Sequence, residues 1–446
     1  MPTQTMSLPP TETSKPSPKL RRMQLTMLAL MVLGYMLLYV DRSTLAVANP
    51  LIREDMGISI AEMGVLLSAF LWTNCIFQIP MGVLVDKLQP RLIFYASMVF
   101  WSLAQIVGGL VGGLNQFIGA RILLGIGEAP YTVNASLATR NWFNIRERGF
   151  ATGIWSAGST LGNALSVPLL TFLMLSFSWR WMFIDMGIVG LVLALVFYAL
   201  YHNPSQMNLT PADKAHLTEG DEVGVAKSNI WKDCGRLFRF RTTWGMAIGW
   251  FGPTYVAWFY FAWLPGYLEM QHHVSIAKTG WIAAIPFIAG VGGALLGGRL
   301  IDILIRRGLS PLNSRRYPMV ISMLITGILT VIVAETPSVT VAVTCISGSL
   351  FMIYVASQAT LSMPPIIAPT QVTGSIGGIQ AFGGYIGSAL APMLTGFIVQ
   401  ATGSFELALL VGAAVAFVTP IVYFLLVRAP ISQADLDGVV RAAVLT

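Results

Sequence analysis

Twelve apolar stretches, each about as long as a bilayer is thick, constrain this chain more than any other feature. They run near residues 23–46, 60–85, 92–112, 115–138, 148–173, 180–201, 243–268, 277–301, 317–335, 337–359, 373–399 and 405–427. A helix crosses the hydrocarbon core in about 20 residues, a strand in about 10. Stretches of this length therefore read as helices, which also satisfy their own backbone hydrogen bonds where no water is present. Composition agrees: 55% of the residues are hydrophobic and 11% charged, a balance that soluble domains do not show. The expected class is an all-α membrane protein with twelve transmembrane helices in two six-helix halves, surrounded by a lipid bilayer.

The net charge of +7 could suggest nucleic acid, but its distribution does not. If both termini share one side, 21 of the 27 Lys and Arg residues lie there; Arg42, Arg121 and Arg299 fall within spans, and Arg53, Arg180 and Lys278 on the far side. Such a bias marks the cytoplasmic face. The expectation is a multi-pass protein of the inner membrane with both termini in the cytoplasm and no nucleic-acid partner. The first 22 residues are polar, with no short apolar region and cleavage site, so no cleaved signal peptide is expected. Cys75, Cys234 and Cys345 have no pairing or metal spacing and read as ordinary thiols.

The polar stretch 202–242 divides the spans six and six. It implies an N-terminal tail over 1–22, a first half over 23–201, a central cytoplasmic loop over 202–242, a second half over 243–427 and a C-terminal tail over 428–446. The loop reads as a solvated linker, with a short amphipathic helix near 229–240 at the membrane surface. An internal repeat supports the division. Gly82-x-x-x-Asp86-Lys87 follows the second span, and Gly298-x-x-x-Asp302 follows the eighth, 216 residues on. These residues, with Arg91, read as a gate: glycine permits close helix approach, and a carboxylate at a helix end can engage a helix N-terminus or an arginine.

Asp41 and Glu128 are the carboxylates that fall deep inside spans, and each has an arginine nearby, Arg42 beside Asp41 and Arg121 seven residues before Glu128. An ionisable group in the bilayer core is costly and marks a functional site. Seven residues are two helical turns, so Arg121 and Glu128 share a face about 10 Å apart along the axis. Asp41 and Arg42 are adjacent and point about 100° apart, so they cannot face one partner. Permanent buried salt bridges that specify packing are the alternative to a transport role.

These motifs resemble the major facilitator superfamily, whose loop after the second span usually reads G-x-x-x-D-[RK]-x-G-[RK]; here it is Gly82 to Arg91 without the second glycine. More narrowly the chain is similar to the anion:cation symporter branch, which includes sugar-acid, aromatic-acid and vesicular glutamate carriers. The stretches Tyr39-Val-Asp41-Arg42, Arg121 to Pro130 with Gly127-Glu128, Trp142-Phe143 with Glu147-Arg148-Gly149, Ser178 to Trp181 and Trp263 to Tyr267 carry the likeness, which extends over roughly 24–427. The resemblance implies the major facilitator fold, a secondary transporter and a central site. Sugar-acid carriers of that branch often have glutamine where Ser159 stands, tyrosine where Asn74 stands, and asparagines where Ala381 and Tyr385 stand.

No histidine lies inside a span, so coupling protons are expected to ride on Asp41 and Glu128. A substrate anion that takes the neighbouring arginine would leave the carboxylate without a partner and easier to protonate. Arg42 is expected to bind the substrate carboxylate and Arg121 to tune Glu128, with Tyr39, Asn74, Ser159 and Tyr385 lining the cavity. Trp250, Phe251 and Tyr255 of the seventh span could line it too, with Trp258 to Trp263 nearer an interface. No Walker loop, dinucleotide fingerprint or zinc spacing is present, so neither a cofactor nor enzyme chemistry is expected. The reading is a proton-coupled importer of a small organic anion, monomeric, with an aromatic or sparsely hydroxylated acid preferred over a hexonate or hexarate because the expected polar positions are changed. A drug-efflux antiporter is disfavoured by Arg42 and Arg121, and a non-transporting sensor by the lack of a soluble domain.

Overall fold

A computed structural model describes residues 16–219, 235–369, 372–432 and 435–436. Six long helices come first: α1 (Pro18–Met56), α2 (Ile60–Lys87), α3 (Pro90–Leu110), α4 (Leu114–Trp142), α5 (Ile145–Ser176) and α6 (Trp179–Leu200). A short α7 (Pro211–Thr218) follows. The second set is α8 (Arg241–Met270), α9 (Ile276–Ile282), α10 (Ala284–Arg306), α11 (Asn313–Glu335), α12 (Val339–Leu361), α13 (Pro364–Ile367), α14 (Thr373–Thr402) and α15 (Glu406–Leu426).

Local chemistry sets the ends. Ser17 caps α1 by accepting from Leu20 N–H, with Pro18 at the first helical position, and Gly57 ends it at φ 64°, a left-handed conformation glycine adopts without strain. Ser59 and Glu62 form a reciprocal capping box on α2. Span eight is one stretch in the sequence but two helices in the structure, broken at Ala283. Pro286 explains the break: it lacks an N–H and its ring opposes the carbonyl four residues back, that of Ile282.

Ten of these segments are long and apolar enough to cross a membrane, α9 and α10 counted together. The remaining two long helices are α4, which carries Arg121 and Glu128, and α8, rich in Trp, Tyr and Gly. Large apolar side chains such as Leu33, Phe172 and Leu295 are 44%, 66% and 67% exposed on the outside of the bundle, where lipid rather than water is the partner.

The two halves repeat one packing pattern. In the first, α1 packs on α5, α3 on α6, and α4 on both α2 and α3; in the second, α8 packs on α14, α11 on α15, and α12 on both α10 and α11. Each pair recurs six spans later. The halves meet through α2 against α14, α5 against α9 and α10, and α1 against α8.

Specific contacts tie the halves at the end opposite the termini. A Cβ on Gly64 would lie 2.8 Å from Pro392 O and 3.0 Å from Gly396 Cα, so α2 and α14 cross there backbone against backbone. Ile60 N–H donates to Gln400 Oε1 at 3.1 Å, and Arg53 reaches Met270 Sδ at 3.3 Å. Trp263 braces the crossing with its indole N–H on Pro392 O at 3.1 Å. Its ring is fully buried.

The stretch after α6 is more than a solvated linker. Thr210 caps α7, whose Asp213, His216 and Leu217 are buried against the first half. Ser17 N–H and Oγ–H both donate to the Asp213 carboxylate at 3.0 Å, which ties the start of α1 to α7. Of the amphipathic helix expected near 229–240, residues 229–234, with Cys234, lie outside the described residues, while 235–237 are helical and 238–240 turn; Cys75 and Cys345 are free thiols.

Candidate functional site

The four charged residues come together between α1 and α4. Asp41 and Arg42 occupy the middle of α1, and Arg121 and Glu128 the middle of α4. Arg42 Nε donates to Glu128 Oε2 at 2.7 Å. The Glu128 side chain is sealed from solvent while that of Arg42 keeps 10% exposure, so the pair opens on the arginine side. The Arg42 guanidinium lies 4.9 Å from the Tyr39 ring and 5.0 Å from the Phe70 ring, cation–π contacts that orient it. Among the described residues no protein acceptor takes its terminal nitrogens.

Glu128 takes Arg42 of α1 as its direct partner. Arg121, two helical turns away on α4, makes no hydrogen bond to Glu128 and acts on it through space. Its Nη2 instead points to Thr44 Oγ1 at 3.5 Å, and its guanidinium lies 5.4 Å from the Phe183 ring. Thr44 is a hub: Oγ1 accepts from Gln105 Nε2 at 3.0 Å and donates to the Asp41 carbonyl at 2.7 Å. Asp41 is fully buried, and neither carboxylate oxygen has a hydrogen-bond partner. Arg121, Glu128 and the Trp101 indole are its electrostatic neighbours, but Trp101 Nε1 falls outside hydrogen-bond geometry and is itself unpartnered.

The other expected residues divide. Tyr39 and Tyr385 both interact electrostatically with Arg42 and so belong to its surroundings. Asn74 does not: it is buried and its amide N–H reaches the Gly125 carbonyl of α4 at 3.4 Å. Ser159 donates back to the Ser156 carbonyl at 2.7 Å within its own helix, the usual fate of an intrahelical serine. Tyr255 is buried and stacks on Phe251 with centroids 5.8 Å apart, consistent with packing more than with an open wall. Sequence reasoning missed Tyr35, Trp101, Gln78, Asn163 and Tyr354. Gln78 and Asn163 were legible in spacing alone, since they stand one helical turn after Asn74 and Ser159.

The expected gate residues are placed unevenly. Gly82, Asp86 and Lys87 sit in α2 with side chains outside the described residues. Arg91 binds the Tyr198 carbonyl near the end of α6 through Nε and Nη2, at 3.1 and 2.6 Å. A Cβ on Gly298 would meet nothing within 4 Å, so the close approach expected there is corrected; α10 instead nears α12 at Gly297, 3.0 Å from Val355 Cα. Asp302 is exposed and interacts electrostatically with Arg315.

The family model for the Major Facilitator Superfamily matches residues 31–363 and 271–442. A probable L-galactonate transporter of Escherichia coli (strain K12) is 39% identical over 430 residues, 96% of this chain and 95% of that protein. A D-galactonate transporter of Escherichia coli O6:H1 is 30% identical over 94% of this chain and 98% of its own length. Among solved structures, an inward-facing, unoccupied bacterial homolog of the human lysosomal transporter Spinster superposes with a TM-score of 0.72 at 19% identity, over 95% of each chain.

Proposed function

The chain belongs to the major facilitator superfamily, and on that premise we propose that it imports a sugar acid of the hexonate or hexarate kind with protons, by alternating access across the inner membrane. The named cargo of the relatives supports the sugar acid over the aromatic acid that the changed polar positions had favoured. Both termini then face the cytoplasm, the monomer is the working unit, and the end tied by Gly64, Pro392 and Gly396 is the outer one, so the conformation described is closed outward.

The Arg42–Glu128 contact carries the coupling proposal. Arg42 is the partly exposed cation of the cluster, and its planar fork can take a carboxylate in two parallel hydrogen bonds. A substrate carboxylate there competes with Glu128 for the same cation. Leaving a buried carboxylate ionised without its partner is costly, and a proton on Glu128 removes that cost, so anion and proton enter together. Asp41 is the second carrier in this scheme: with no donor to either oxygen, it gains from holding a proton where Arg121 and Glu128 both feel the change. Arg121 fixes Thr44 and sets the field at Asp41 rather than touching substrate. A gate at Asp86, Lys87, Arg91 and Asp302 remains part of the proposal at the cytoplasmic end.

Purified protein in liposomes should accumulate labelled galactonate under an imposed inward proton gradient, and a protonophore should abolish that accumulation. Uptake of a benzoate-type acid with no uptake of hexonates or hexarates would restore the aromatic reading. Accumulation unaffected by the protonophore would remove proton coupling.

A further inference from the structure

A sugar acid carries several hydroxyls, each needing a partner once it leaves water, yet Asn74 and Ser159 are spent inside the first half. Two other amides stand one turn further along the same helices and face the second half. Asn163 of α5 points its Nδ2 to the Tyr354 hydroxyl of α12 at 3.5 Å. It is 4% exposed, and its Oδ1 has no partner. Gln78 of α2 interacts with the Tyr385 hydroxyl of α14. Tyr39 interacts electrostatically with both Tyr354 and Tyr385, and Tyr385 with Arg42, so the Gln78–Tyr385 pair neighbours the guanidinium and Tyr39 links it to the Asn163–Tyr354 pair. Each pair spans the seam between halves, and the Asn163–Tyr354 pair is long and leaves Asn163 Oδ1 unpartnered.

We infer that Asn163 with Tyr354, and Gln78 with Tyr385, read the hydroxyls of the substrate, replacing the polar positions lost at Ser159 and Asn74. This rests on the sugar-acid reading and deepens it: Arg42 holds the carboxylate, and the two amides select a chain long enough and hydroxylated enough to reach them. An unpartnered carbonyl oxygen on Asn163 accepts a hydroxyl that no short acid can offer. A ligand bonded to an amide of one half and a phenol of the other also draws the halves together.

The test is competition against labelled galactonate uptake by proteoliposomes, using galactonate itself, glycerate and propionate as unlabelled competitors. Wild type should rank them in that order. Asn163→Leu and Gln78→Leu should each weaken galactonate by about five- to tenfold, the worth of one hydrogen bond of about 1 kcal/mol, and leave propionate unchanged, so the ranking compresses. Asn163→Ser and Tyr354→Phe serve if a leucine variant does not fold, with smaller shifts of the same kind expected. Equal losses for all three acids mean a packing role and overturn the assignment, as does an unchanged ranking. If wild type takes up no hexonate or hexarate at all, the sugar-acid reading falls and takes this assignment with it, a result distinguishable from variants that leave a working hexonate transporter unaltered.

Discussion

Arg42 Nε meets Glu128 Oε2 at 2.7 Å, joining α1 to α4 across 86 residues of chain. The arginine is neither a free anion receptor nor a fixed structural cation. Its Nε edge is occupied and its terminal nitrogens have no protein acceptor among the described residues, so in the proposed function substrate binding and release of Glu128 would act on one guanidinium.

Glu128→Gln keeps size and polarity but removes the exchangeable proton. Proton-driven accumulation of substrate should be abolished, while exchange of labelled for unlabelled substrate across the same liposomes persists. A variant that still concentrates substrate against its gradient would show that Glu128 is not an obligatory carrier.

Arg42→Lys retains the charge but loses the planar fork. Loss of a charge-assisted hydrogen bond worth about 1.5–3 kcal/mol corresponds to a drop in apparent affinity of about tenfold or more. Concentration-dependent uptake measures it, and an unchanged half-saturation constant would remove Arg42 from the binding site.

Gly64→Ala places a methyl group against Pro392 O and Gly396 Cα, both backbone atoms that cannot rotate away. The closed crossing of α2 and α14 should become less populated. Cross-linking of an Ile60→Cys, Gln400→Cys pair by a short bifunctional thiol reagent should fall in the alanine background, and the uptake rate with it. Undiminished cross-linking would mean that the crossing accommodates the methyl group without opening.

Asp213 gives a pH dependence outside the membrane. The Ser17 backbone N–H first, and then the Thr210 and Ser17 hydroxyls, hold its carboxyl below the usual carboxylate range. A group lowered in the folded state contributes stability that is present above its ordinary value and lost as pH falls through its folded one. Docking of α7 on α1 should therefore be complete at neutral pH and weaken only well below about pH 4. Hydrogen exchange at the amides of 211–218 should rise in acid, and Asp213→Asn should raise it already at neutral pH; equal exchange in the two proteins would refute the clamp.

Much of the fold was legible because apolar length is a strong signal and a bilayer leaves few alternatives. The span ends agree with the helices within about five residues except for α1, which runs on from the expected end at 46 to Met56, and the break at Ala283 could have been found from Pro286. At the site, the four charges were evident from their cost in lipid. Their pairing was not, since spacing along α4 favoured Arg121 for Glu128 and only the α1–α4 packing brings Arg42 closer. The substrate lean toward aromatic acids followed from reading single aligned positions. Asn163 and Gln78 escaped because a polar group displaced by one turn keeps its helix face while leaving the expected column. Helix α7 escaped because its buried residues include Asp213 and His216, which carry no apolar pattern.

The crossing at Gly64 and Gly396 is built of peptide groups, whereas in the proposed function cargo would be handled by side chains near Arg42. Natural variation can therefore change what is carried without retuning how the pathway shuts. A mutation among the amides and tyrosines alters preference and leaves the latch intact, while a methyl group at the latch slows every cargo alike. On that proposal, substitution among the amides and tyrosines would diversify the cargo while the outer closure, encoded elsewhere in the chain, stays as it is.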